Sequence, residues 1–566
     1  MSHQSSFPPS LLFLRRHGHC APSLREGRGG CSGRGGCSGR GGCLVLGFLF
    51  SLLLLLFASC SHQPTDVRQV PRLPDIYPDY TGVTIPVGIA PLNFAMADDS
   101  VTTVDVTIQG QQGGSIHVND SYADIPIDEW HSLVKQNRGS QLTVTVCAER
   151  DGQWTQYSPF TIFVSPYDLQ AWGITYRRIP PSYELYSRMG IYQRDLSTFS
   201  EQPLFVNTQV PGACVNCHTT QPPTPTTPHP SPNYLFHVRG SHGATVIHQE
   251  DKDQVLQARN DTLGGSMVYP SWHPSGRYIA FSTNKTSQMF HAHNNKRIEV
   301  YDSSSDVFVY DVQTHQILRD TLTMRTLWAE NTPAFSSDGR WLYFTTARRQ
   351  VYPTDYDREV YSLCRVAFDA ATARLIPPVD TLLSPSLTLV DSLLPPSGKP
   401  MHRIGPTPSA APLASVTWPR PSPDGRYLMY TRANYGYFSI WHPEADLWLF
   451  DLQTQQTWPL ADANSSESDS FHTWNANGRW FLFTSRRGDG LYTRVYLASL
   501  TPDGRSTKPF LLPQRNPRRY DELSLYSFNT PDFTVQPIDA DPRTLGNRLE
   551  SEERISVSVR EMSDNP

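Results

Sequence analysis

The chain has 566 residues, 38% hydrophobic and 18% charged, with a formal net charge of −5 at pH 7. That composition excludes a disordered or collagen-like chain, and the lack of a basic patch excludes nucleic-acid binding. Its 48 prolines, 26 tyrosines, 25 phenylalanines and 12 tryptophans favour strands, turns and rigid linkers over helices.

The N-terminus carries a low-complexity run, GRGGCSGRGGCSGRGGC, that no packed core uses. Leu44 to Cys60, LVLGFLFSLLLLLFASC, follows with Arg34 and Arg40 upstream. Its apolar stretch suits a secretory signal and is short for a membrane span. Phe57-Ala58-Ser59-Cys60 resembles the lipobox of bacterial lipoproteins, where cleavage exposes a cysteine that becomes diacylated. The resemblance implies a lipoprotein signal region over 1–59 and a lipid on Cys60. It also implies a bacterial envelope location, on the outer membrane, facing the periplasm or the surface. Cleavage would remove six arginines and one glutamate, leaving 42 basic and 52 acidic residues, a net charge of −10.

Residues 60–80 are polar and proline-rich, and read as a tether. From 81 to 165, strand patterns such as SVTTVDVTIQG and QLTVTVCAER alternate with turn-like GQQGG, NRGS and RDGQ, which predicts a small antiparallel β-sandwich. Cys147 in that region and Cys364 further on sit in strand-like runs and read as buried apolar thiols. Residues 166–232 change character, rich in aromatics, arginine and proline, and predict an irregular segment with short helices.

That segment contains Cys214-Val215-Asn216-Cys217-His218. Zinc would need two further ligands, and no second C-x-x-C exists. A thioredoxin-like pair would want a helix after the first cysteine, whereas prolines begin at Pro222. Haem attachment needs only what is present: two thiols to add to the two vinyl groups, and an adjacent imidazole to reach the iron. The motif therefore reads as the site of one covalent haem c on Cys214 and Cys217 with His218 as iron ligand; a disulfide or redox pair is the alternative.

Residues 233–535 repeat themselves. YPSWHPSGRYIAFSTN, TPAFSSDGRWLYFTTA, WPRPSPDGRYLMYTRA and FHTWNANGRWFLFTSR share a template whose glycines are Gly276, Gly339, Gly425 and Gly478. A second template recurs at Asp306 and Asp446, where the acid would cap a turn or line a channel mouth. Repeats of this length, each two hairpins, predict an all-β fold, a β-propeller of five or six blades. His273, His442 and His472 fall in or beside the templates, which points to architecture before chemistry. Residues 536–566 read as a C-terminal tail.

The templates resemble the WD-like repeats of TolB-like propellers, which have six blades. CVNCHTTQ, LFHVRGSHGAT, YPSWHPSGRYIAFSTNKT, RIEVYDSSSDVFVYD and DGLYTRVYLASL together resemble a family of Bacteroidetes envelope lipoproteins. These combine one C-x-x-C-H site with such a propeller and are often labelled cytochrome c-related. The resemblance covers roughly Pro211 to Pro513 and implies a covalent haem, but little mechanism.

The segment around the motif is too short for a complete cytochrome c domain, so the propeller or sandwich should supply part of the haem pocket. His237 is the first candidate for the distal iron ligand, with His242, Met267, Met189, His291 and His293 as alternatives; Arg239 would pair with a propionate. No G-x-S-x-G element, phosphate loop or zinc-protease motif is present. These features predict one-electron transfer by a membrane-anchored c-type haem protein with an envelope redox partner. A propeller scaffold for another envelope protein, with structural or sensory haem, is the alternative, and a haem enzyme is a third reading.

Overall fold

A computed structural model describes residues 63–180, 188–222, 233–250, 252–257, 259–260, 265–291, 298–385, 414–523, 525–551 and 553–562. The signal region with Cys60, the proline tract 223–232 and His293 lie outside these residues.

Six sheets, each built on four strands, form the blades of a propeller. Blade 2 comprises Cys214–Thr220, Tyr234–Arg239, Ala244–Gln249 and Lys252–Gln257; blade 3 runs from Gly265–Trp272 through Tyr278–Phe290 and Ile298–Asp311 to Gln316–Arg319. Blades 4, 5 and 6 begin at Trp328–Phe335, Ser415–Pro421 and Asp469–Trp474. Blade 1 joins distant parts of the chain: Gly173–Ile179, Gly190–Asp195 and Glu201–Val206 pair with Ser527–Thr534 from the C-terminal region. The first strand of each of blades 2 to 6 and Ser527–Thr534 of blade 1 are the innermost, each packing on the next around the ring.

Blade strands are covered on both faces, so Trp480–Ser485 is buried throughout and shows no alternation. The four template glycines take φ of 66–73°, the left-handed turn conformation expected of them. Every innermost strand also carries a β-bulge with one non-glycine residue at positive φ: Thr530, Cys217, Tyr269, Thr332, Trp418 and Phe471. The next residue is proline in four blades and histidine, His218 and His472, in the other two. A bulge re-aims side chains at a strand's inner edge, and here it does so six times around one axis.

Before the propeller, one branched seven-stranded sheet is centred on Thr103–Gly110 and Gln141–Arg150. The anticipated sandwich is thus one main sheet, with a two-stranded ribbon, Ile76–Tyr77 against Ala95–Met96, and the helix Ile127–Gln136 sharing its core. The helix buries Trp130, Leu133 and Val134 on one face, and Trp130 donates through Nε1 to the Ile89 carbonyl at 3.0 Å. Its core continues into blade 6 through Trp480 and Leu497 and into blade 1 through Ile174 and Tyr176.

Three segments are more ordered than their composition suggests. In the tether, Arg68–Gln69 adds to the sheet edge beside Gln153–Gln156, and Tyr80 is fully buried with its hydroxyl on the Leu511 carbonyl. The 166–232 segment supplies three strands of blade 1 and the inner strand of blade 2, because its aromatics fill inter-blade space. In the expected tail, the helix Pro542–Glu550 buries Leu545 and Leu549, and Ser558–Glu561 pairs with the outer edge of blade 3. That pairing covers an otherwise open strand edge.

Candidate ligand site in the central channel

Five of the six bulge residues, all but Thr332, line a channel cavity of about 1020 Å³. Tyr269, Trp418, Phe438 and Phe471 form an aromatic wall with edge-to-face contacts: Tyr269–Trp418 centroids are 5.1 Å apart and Trp418–Phe471 centroids 4.8 Å. Such a wall offers a flat apolar ligand contact area at low entropic cost.

Cys214, Cys217 and His218 also line this cavity. Cys217 is the bulge residue of blade 2, equivalent to Tyr269, Trp418 and Phe471, and Cys214 stands three residues before it, where other blades carry serine or alanine. Both thiols are free and half-buried. Arg177 of blade 1 donates from Nε to the Val215 carbonyl at 2.7 Å, while its Nη2 lies 3.7 Å from both Cys214 Sγ and Met189 Sδ. Burial holds the Arg177 guanidinium below its ordinary value. Arg239 sits directly across the strand pair from Cys214 and faces the same cavity.

His218 is 7% exposed, and its ring lies against Arg177 and the Thr175 backbone of blade 1. Burial, reinforced by the Arg177 charge, pushes its pKa down to about 3, so the ring is neutral at physiological pH. His472 repeats this arrangement in blade 6: buried against the Trp418 and Met429 backbones of blade 5, and pushed to about 3 by burial and by Arg420.

The motif strand is held from below by Asp532 of blade 1. Its carboxylate accepts from Thr219 Oγ1 at 3.0 Å, Thr220 N at 2.9 Å and Thr220 Oγ1 at 3.1 Å, and from Thr473 Oγ1 of blade 6 at 3.2 Å. One side chain therefore ties three innermost strands together.

His237 does not join His218. It lies opposite Asn216, on the blade-2 face that carries Leu235 and Ile247 toward blade 3, and its Nδ1 bonds Thr245 Oγ1 at 3.0 Å. His218 instead meets Arg177 and the Thr175 backbone of blade 1. Among the other candidates, Met267 is buried in the blade-3 core and His291 lies 3.6 Å from Glu299. His242 is partly exposed, and Met189 stands nearest the motif, against Arg177. His273 spans blades, bonding Ser275 and the Gly339 carbonyl, and His442 lies 3.4 Å from Glu299. Asp306 faces Arg349 at 3.5 Å, and burial beside Asp469 raises Asp446 to about 6. Burial lifts Cys147 and Cys364 to about 11.

Sequence reasoning missed Arg177, Trp418, Phe471 and the role of His472. One signal was available: CHTTQP aligns with FHTWNA, YPSWHP, WPRPSP, TPAFSS and TPDFTV. Among the described residues, no group of three His, Cys, Asp or Glu side chains is arranged to hold a metal ion, and no helix is long and apolar enough to cross a membrane.

No protein-family model matches the chain, and no curated protein matches it. Solved structures with a similar fold include a puromycin-hydrolysing peptidase of Mycobacterium tuberculosis, at 13% identity and TM-score 0.29 over 76% of this chain; the chain spans 57% of that protein's length. The β-propeller domain of the Trilobed protease from Pyrococcus furiosus matches at 7% identity and TM-score 0.30, over 67% of this chain and 96% of that one. A Bacteroides thetaiotaomicron protein of unknown function matches at 8% identity and TM-score 0.28, over 78% of this chain and 99% of that one. Likeness at these levels concerns the fold alone.

Proposed function

We propose that the chain is a lipid-anchored c-type haem protein of the bacterial envelope, with one haem c on Cys214 and Cys217 and His218 on the iron. One observation carries the reading: two free thiols and a buried, neutral imidazole occur on one strand facing an aromatic channel. A neutral buried imidazole keeps a lone pair that an iron can take. Each thiol would add across one vinyl group, its sulfur bonding to carbon and its hydrogen passing to the other vinyl carbon, with no atom lost. When bound, the haem would supply a one-electron couple, and the role we propose is electron transfer with an envelope redox partner.

The chain's own residues prepare for this. The bulge at Cys217 turns the strand so that both thiols face the channel, and Asp532 fixes the strand behind it. Burial keeps His218 unprotonated, so its lone pair is available down to acidic pH. The aromatic wall would cover one face of a bound haem with apolar surface, one of the levers that set its potential. A redox titration of protein purified from membranes should give a reversible one-electron absorbance change; a colourless protein would overturn the proposal.

A second reading, a propeller scaffold, is favoured by the repeat itself. His218 occupies a position filled by His472 and four prolines in the other blades, so blade architecture alone accounts for it. A deletion strain rescued by folded, haem-free Cys214→Ala/Cys217→Ala protein would establish the scaffold; failure to rescue would favour electron transfer.

A further inference from the structure

Several half-buried arginines of the propeller stand against an acid. Arg277 meets Asp311 at 2.7 Å, Arg325 meets Glu330 at 2.7 Å, and Arg487 meets Asp469 at 2.8 Å. Arg177 and Arg239 differ. Both face the channel, Arg177 half-buried and Arg239 exposed to it, and neither makes an ion pair among the described residues. They also act on one another, charge against like charge.

The channel's own acids are engaged elsewhere. Asp532 is taken by Thr219, Thr220 and Thr473, and Asp424 by Ser422 Oγ at 2.5 Å and the Arg426 amide at 3.1 Å. Asp302, behind the wall, accepts from Thr286 at 2.7 Å and Asn331 at 3.1 Å. Two guanidiniums flanking one thiol beside an aromatic wall, without an ion-pair partner among the described residues, give the channel a positive end that favours an anion.

Their placement is specific. Arg177 reaches the motif strand from blade 1 and is fixed by the Val215 carbonyl; Arg239 approaches from the neighbouring strand of blade 2, paired with Cys214. The two flank Cys214. We infer that Arg177 and Arg239 form a clamp for the carboxylate groups of the ligand that occupies the channel, on the Cys214 side. Guanidinium presents paired donors that match a carboxylate. This rests on the haem reading for one source of carboxylates, the side chains of the attached cofactor; a free small carboxylate is the other source.

The test uses the full-length chain carrying Cys214→Ser and Cys217→Ser, which holds no covalent haem. Iron-free protoporphyrin IX offers two carboxylates and no metal for His218. Its dimethyl ester offers the same ring without charge, and inorganic phosphate and succinate offer charge without the ring. Protoporphyrin should bind at least tenfold more tightly than its ester, and Arg239→Gln should lose that tenfold while Arg239→Lys keeps part of it. Arg177→Gln should do the same if it folds; Arg239 carries the test if it does not. Porphyrin binding that ignores both charge and arginine would overturn the clamp and leave the haem reading standing. Phosphate or succinate raising Tm in the parent and not in Arg239→Gln, with no porphyrin binding, would support the clamp for a free anion and count against haem. No response to any of the four ligands would overturn the clamp.

Discussion

Asp532→Ala is expected to destabilise the protein by about 3–4 kcal/mol. The substitution removes the acceptor for Thr219 Oγ1, Thr220 N, Thr220 Oγ1 and Thr473 Oγ1. Bonds to a charged group contribute about 1.5–3 kcal/mol each, yet the four do not add. Thr220 Oγ1 keeps the Phe533 carbonyl at 3.0 Å, and Thr219 Oγ1 keeps the Thr220 carbonyl at 3.3 Å. The dominant losses are the Thr220 N–H, left without its acceptor, and the Thr473 link to blade 6, roughly 1–3 kcal/mol apiece. Burial disfavours the ionised Asp532 carboxyl and raises its pKa, which offsets part of the gain from the bonds. Asp532→Asn retains one oxygen for the Thr220 N–H and is expected to lose about half as much. Urea unfolding followed by tryptophan fluorescence would measure both, with the exposed helix-capping Asp541→Ala, expected to lose about 1 kcal/mol, as reference. A loss below about 0.5 kcal/mol for Asp532→Ala, at unchanged m, would refute the view that this carboxylate ties three blades.

Glu359 is 1% exposed, and burial raises its carboxyl from 4.5 to about 8. Its folded pKa lies above the unfolded one, so the native state binds the extra proton and stability falls as pH rises from about 5 to 8. Glu359→Gln should therefore gain on the wild type by roughly 1 kcal/mol per pH unit across that window in unfolding titrations, and a constant gap would contradict this. His237→Ala is expected to lower stability, because the ring fills a buried space and bonds Thr245, while leaving any haem spectrum unchanged; a shift to high spin would return His237 to the iron. Fatty-acid labelling should mark the wild type and miss Cys60→Ala; equal labelling would remove the lipid anchor.

The propeller was legible where a blade is contiguous in sequence. Gly276, Gly339, Gly425 and Gly478 mark four turns that only positive φ allows cheaply, and each precedes a strongly apolar strand. Blade 1 was harder to read: TPDFTV repeats the inner-strand motif, but SFNTPDFT is separated by hundreds of residues from the strands it pairs with, and no local pattern names those partners. The motif stood out in the sequence as a Cys-x-x-Cys-His pattern and was hidden as architecture. Cys217-His218 occupies the bulge and post-bulge positions of its blade, but the residues filling those positions range from threonine to tryptophan, and from histidine to proline. The helix Ile127–Gln136 was missed because it is short and lies between two strongly alternating strands. Arg177 became part of the site only through blade 1's packing on blade 2, a contact between distant turns of the chain.

The covalent haem is the central claim, and denaturing electrophoresis with haem staining tests it most directly, because thioether bonds survive unfolding and coordination bonds do not. Protein purified from the membrane of its native host should keep the stain in the wild type and lose it in Cys214→Ala/Cys217→Ala, with the intact mass of the wild type raised by one haem. A wild-type band without stain, at the mass of the lipidated polypeptide alone, would contradict the account.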